Sequence, residues 1–70
     1  MRVRLANLRK EMLLSQEMMA EKLGISRSHY SQIESGDKTP SLEVALRIKQ
    51  VCDYSDDDIF LNINAPRTGK

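Results

Sequence analysis

Five residues in one short stretch constrain this chain more than anything else in it. They are Ala20, Gly24, Ile25, Tyr30 and Ile33, within QEMMAEKLGISRSHYSQIES at 16–35. Two helices that cross steeply through a tight turn need a small residue where they meet, and Ala20 supplies it. The turn needs a residue that accepts positive φ, and Gly24 stands four positions on. The next residue must be apolar to pin the turn to the interior, as Ile25 is. The second helix needs two apolar residues one turn apart, and Tyr30 and Ile33 provide them. Each requirement alone is weak. Together, at fixed offsets, they specify a helix-turn-helix.

The remaining sequence reads as further short helices with no convincing internal strand. Leu5, Leu8 and Met12 recur at helical spacing over 2–12. Ser15 is placed to cap a helix over 16–23, and Ser26 one over 27–35 that ends at Gly36. Thr39 or Ser41 starts a fourth helix over 41–52, with Leu42, Ala45, Leu46, Ile48 and Cys52 expected to face the core and Asp53 at its exit. Ser55 and Asp58 read as a capping box for a fifth helix over 56–61. The expected fold is therefore all-α and five-helical. Residues 1–61 form the domain, and 62–70 form a short tail containing Pro66 and Gly69.

Successive helical residues are separated by 100°, since a turn holds about 3.6 of them. On the third helix this puts Arg27, Ser28, Ser31, Gln32 and Ser35 on one side, opposite Tyr30 and Ile33. The outer stripe consists of hydrogen-bonding residues, and none is acidic. Arg can grip a guanine edge with two parallel hydrogen bonds, and Gln can do the same for adenine. An ordinary solvated face would mix in Glu or Asp. Double-stranded DNA is thus the expected partner.

Charge supports this only through its distribution. The net charge of the 70-residue chain is +1, with +2 over 1–38, −3 over 39–60 and +2 over 61–70. Any electrostatic footprint for nucleic acid lies in the first half and is modest. One Cys excludes an internal disulfide and fits a reducing compartment, so a cytoplasmic location is expected. No apolar run approaches membrane-spanning length, and no signal-peptide pattern opens the chain.

The segments Leu8-Arg9, Ser15-Gln16, Met19-Ala20, Leu23-Gly24, Ile33-Glu34-x-Gly36, Pro40-Ser41-Leu42 and Asp58-Ile59-Phe60 resemble the Xre family of helix-turn-helix proteins. These are related to phage Cro and repressor domains, and the resemblance is closest to short single-domain members. It implies a compact lambda-repressor-like domain and assigns roles by position. Arg27, Ser28, Gln32 and, on the same stripe, Ser31 match base-reading positions. Gln16 resembles the residue that holds a phosphate, and a helix N-terminus favours that. Ser35, Gly36 and Lys38 match the stretch that meets the DNA backbone. Arg9 and Glu34 resemble a pair linking the first and third helices, read here as a structural ion pair in preference to a DNA contact. Tyr30, Asp37, Lys49 and Asp56 depart from the family pattern; Tyr30 must find its hydroxyl a partner or reach solvent.

Other residues favour plain readings. Cys52 is core filling before it is a redox switch. His29 is a tolerated surface residue before it is a sensor, and Met12, Met18 and Met19 fill the core or its edge. No zinc spacing, nucleophile–base set or phosphate loop is present, so neither metal, cofactor nor catalytic residue is expected. The Asp56–Asp58 run reads as a helix start and not as a calcium loop. A protein-binding antitoxin is the rival reading, but its tail would be longer. The helical reading uses every residue to about 61, so no small-molecule ligand is expected.

One recognition helix reads few base pairs, so a homodimer on symmetric half-sites is expected. The candidate interface is Ile59, Phe60, Leu61 and Ile63, beside Tyr54. Ile59 and Phe60 can also serve the core, and 60–63 could pair as a strand with its symmetry mate. The alternative is that this segment folds back over the first helix.

Overall fold

The computed structural model describes residues 1–61. The expected tail at 62–70, with Ile63, lies outside the described residues. Four α-helices follow one another: α1 (Val3–Glu11), α2 (Gln16–Leu23), α3 (Arg27–Ser35) and α4 (Leu42–Cys52). Among the described residues a 3-10 turn, Asp58–Phe60, follows α4.

The fifth α-helix is therefore corrected to one turn, and its expected capping box does not form. Asp57 precedes the turn without a side-chain cap. The reason lies in the acidic run. Asp56 Oδ1 accepts the Asp58 N–H at 3.3 Å, a local bond that competes with helix. The Asp58 carboxylate is occupied elsewhere, accepting from the Tyr54 hydroxyl at 2.8 Å and from Arg4 at 3.1 Å.

Three helices begin alike. The hydroxyls of Ser15, Ser26 and Ser41 accept the N–H of Met18, His29 and Val44, each three residues on. Each bond satisfies one donor that the first turn leaves without an intrahelical partner.

Three helices also end alike, with two bonds bracketing one left-handed residue. At the end of α2 the Gly24 N–H donates to Glu21 O and the Ile25 N–H to Ala20 O. At the end of α4 Asp53 and Tyr54 do the same, and at the end of α1 Leu13 and Leu14. The left-handed residues are Gly24 (φ 74°), Asp53 (φ 51°) and Leu13 (φ 61°). Only Leu13 carries a bulky side chain, and that side chain is 86% exposed. Left-handed backbone costs an L-residue about 1–2 kcal/mol, against about 0.5–1 kcal/mol of added chain entropy for Gly. Leu13→Gly is therefore expected to raise the melting temperature by a few degrees. Gly24→Ala is expected to lower it, because a Cβ there meets Arg47 Nη1 at 3.2 Å in addition to the backbone strain. Thermal melts followed by circular dichroism check both.

The core gathers Leu5 from α1, Met19, Ala20 and Leu23 from α2, Tyr30 and Ile33 from α3, Val44 and Ile48 from α4, and Ile59. The inner face of α4 differs from the expected one. Leu42 is 78% and Leu46 50% exposed, while Val44 is buried. Seven apolar residues on this helix occupy more than one face. The arc that faces the core carries Val44, Ile48, Val51 and Cys52, and Leu42 and Leu46 fall outside it. Met18, expected as core or edge filling, is 46% exposed. No helix among the described residues is long and apolar enough to cross a membrane.

Candidate nucleic-acid interface

The turn between α2 and α3 is short because Gly24 takes left-handed backbone and Ile25 tucks against the core. A second left-handed glycine, Gly36 (φ 96°), closes α3. Between these turns α3 buries Tyr30, Ile33 and Glu34. Arg27, Ser28 and Ser35 are exposed, and Ser31 and Gln32 are half-buried. The five expected outer residues thus share an accessible stripe, opposite an interior anchored by an aromatic ring.

Beneath that stripe lies a buried polar centre. Glu34 is 3% exposed. Arg9 grips it with two hydrogen bonds, Nε to Oε2 at 2.8 Å and Nη2 to Oε1 at 3.1 Å. The third Arg9 nitrogen, Nη1, donates to Leu14 O at 2.6 Å. The Tyr30 hydroxyl donates to Glu34 Oε2 at 2.7 Å, which gives the departure at this position its partner. Gln16 Nε2 donates to Glu34 Oε1 at 3.1 Å. Residues of α1, α2 and α3 therefore meet on one carboxylate. Burial by itself pushes the Glu34 carboxyl up, but hydrogen bonds from Arg9, Tyr30 and Gln16 hold it below its ordinary range. Burial, with the same Glu34 bond, pushes the Tyr30 phenol far up, so it remains a donor.

The stretch after α3 is fixed through its main chain. The Ser35 hydroxyl donates to Gln32 O at 3.1 Å, and the Lys38 N–H donates to the same oxygen at 3.0 Å. The Lys38 side chain is exposed, as is that of Asp37. Gln16 lies at the start of α2 with its amide turned inward to Glu34. One of its amide hydrogens is therefore engaged inside the protein, at 3.1 Å from Glu34 Oε1. Of the interface candidates at the C-terminal end, Ile59 is 1% exposed and lies inside the core. Phe60 is half-buried, and Leu61 is 54% exposed on extended backbone.

Two arginines were not singled out from sequence. Arg2 is 5% exposed and donates to three main-chain carbonyls, those of Ile33, Lys38 and Phe60. Arg47 Nη1 donates to Leu23 O at 3.0 Å, while Nη2 pairs with Glu43 at 2.8 Å. Each places a cation at the C-terminal end of one helix of the pair, where the helix dipole favours it. A sequence offers no signal for the first, since an arginine near the chain start reads as a solvated flank. Arg2 and Arg9 are buried and Arg4 is paired to Asp58, whereas Arg27, at the start of α3, and Lys38, just after it, are exposed cations.

Comparison with known proteins agrees with this geometry. The family model described as helix-turn-helix matches residues 5–59. The chain is similar to the transcriptional repressor RstR of cryptic phage CTXphi in Vibrio cholerae, 38% identical over 56 residues, covering 80% of this chain and 50% of the repressor. It thus spans half the length of that relative. It is also similar to an HTH-type transcriptional regulator of Archaeoglobus fulgidus, 33% identical over 61 residues, covering 87% of this chain and 86% of the relative. The regulator MJ0272 of Methanocaldococcus jannaschii is 42% identical over 48 residues, covering 69% of this chain and 73% of its own length. No solved structure matches the chain. The chain belongs to the Xre-like helix-turn-helix family.

Proposed function

We propose that this chain is a transcriptional repressor that binds a palindromic operator as a homodimer, with α3 lying in the major groove. Residues 1–61 are its DNA-binding unit. The observation that carries the reading is the α3 stripe. Arg27, Ser28, Ser31 and Gln32 offer hydrogen-bonding groups without an acid among them, on a helix whose other side is locked to the core. Arg27 and Gln32 read bases, Ser28 and Ser31 permit close approach, and Gln16, Ser35, Gly36 and Lys38 orient the protein on the phosphates. The similarity to a phage repressor supports repression as the outcome. Neither a catalytic group nor a small-molecule ligand enters this reading.

Selection of bound sequences from random duplex DNA tests it. The expected product is an inverted repeat with half-sites about 34–36 Å apart, one helical turn. A single unsymmetric site would overturn the dimer, and no enrichment would overturn sequence-specific binding. The exposed Leu61 contributes to the symmetric contact, whereas Ile59 supports it only from inside the core. Leu61→Glu is accordingly expected to shift the chain towards monomer in sedimentation, with helicity unchanged. An unaltered sedimentation profile would place the contact elsewhere.

A further inference from the structure

Arg2 carries an arrangement that DNA reading by α3 does not explain. Its main-chain N–H donates to Glu34 O at 2.8 Å. Its guanidinium Nη1 bridges Ile33 O and Lys38 O, the latter at 2.9 Å, and Nε reaches Phe60 O at 3.0 Å. The group is 5% exposed, and these partners are all main-chain carbonyls. Carbonyl geometry of this kind fixes backbone, not side chains. One backbone position it fixes is that of Lys38, whose N–H is already tied to Gln32 O at 3.0 Å. Lys38 is thereby clamped on both sides of its Cα. One clamp leads to the outer stripe of α3, and the other leads through Arg2 to the α3 terminus and the 3-10 turn.

We propose that Arg2 is the positioning residue for Lys38, fixing the backbone position from which its exposed side chain reaches a phosphate beside the α3 stripe. The proposal rests on the reading of this surface as a DNA interface. The planar fork of Arg is what lets one side chain hold separate carbonyls at once; a Lys amine at the same place cannot span Lys38 O and Phe60 O with fixed geometry. Phosphate contacts set orientation, so a loosened Lys38 weakens binding without altering which bases are preferred.

The experiment is a double-mutant cycle on the full chain, using the operator duplex obtained by selection and read as the slope of log affinity against log salt concentration. The variants are Lys38→Met, Arg2→Lys and the two combined, each held below its own melting temperature. Arg2→Gln, whose amide still donates to one carbonyl, replaces Arg2→Lys if that variant does not fold. Lys38→Met is expected to reduce the slope by about 1 per protomer. Arg2→Lys is expected to reduce it by a similar amount, and the combined variant to lose nothing more. If Lys38→Met reduces the slope equally in both backgrounds, Arg2 supports the fold alone and the proposal is wrong, whatever happens to stability. If Lys38→Met leaves the slope unchanged while the operator is still bound, Lys38 touches no phosphate; the proposal falls and the DNA reading stands. If the unmodified chain binds no duplex, the DNA reading has failed and takes the proposal with it.

Discussion

Replacing Glu34 with Ala is expected to lower the melting temperature by roughly 15 °C or more. The carboxylate accepts from Arg9, Tyr30 and Gln16, and all but Gln16 are buried. Removing it leaves the Arg9 guanidinium, 8% exposed, without its counter-charge, and the fully buried Tyr30 hydroxyl without an acceptor. Stranding a buried charge costs about 3–5 kcal/mol, and one kcal/mol moves the midpoint of so small a domain by roughly 4–8 °C. Tyr30→Phe removes one donor and leaves the Arg9 grip intact, so about 1 kcal/mol is expected. The same centre sets an acid limit. Because folding holds the Glu34 carboxyl below its ordinary value, its stabilising contribution is complete above the unfolded value. That contribution is lost as pH falls through the folded one. Stability is therefore expected to fall with pH below about 4.3, and Glu34→Gln to flatten that part of the profile while lowering stability at neutral pH. A Glu34→Ala chain that melts normally would show that the centre is accessible to water and carries no structural weight.

Arg27→Ala and Gln32→Ala are each expected to weaken binding to the specific site by about 1–3 kcal/mol, roughly five- to 150-fold, and to relax preference at one position per half-site. Arg27 is exposed at the start of α3, and Gln32 is half-buried on the stripe, so the helix should persist in circular dichroism. The informative comparison is with random duplex. A residue that reads a base edge loses specific affinity selectively. Equal losses on both substrates would show that the residue touches only phosphate. Arg27 is the more demanding case, since an exposed cation at the start of α3 can meet a phosphate as readily as a base edge.

Much of the fold was legible because its decisive features are local. Ala20, Gly24 and Ile25 meet steric demands of one turn, and three serines meet demands of three helix starts. Such features act within four residues of themselves. The errors occurred where local patterns conflict. Leu42 and Leu46 belong to a helix apolar on more than one side, and periodicity alone could not choose the inner arc. Ser55 and Asp58 have capping-box spacing, but Tyr54 and Arg4 claim the Asp58 carboxylate from outside that window. The geometry of the candidate interface was legible in part. The α3 stripe follows from helix geometry, and family resemblance singled out Arg9 together with Glu34. The sequence did not disclose that Tyr30 and Gln16 converge on the same carboxylate. Nor did it show that Arg2 crosses the molecule to bond carbonyls, whose identity no side-chain pattern records.

The convergence of three helices on Glu34 has a thermodynamic corollary. On the proposed reading, α3 is tied through its own second turn to α1 and α2, so it is ordered before it meets a duplex and resists tilting towards an imperfect site. Adjustment then falls on the duplex, whose flexible pyrimidine–purine steps yield most readily. Calorimetry of association should accordingly record the modest negative heat-capacity change of two preformed surfaces closing together, not the larger one of a segment that folds as it binds.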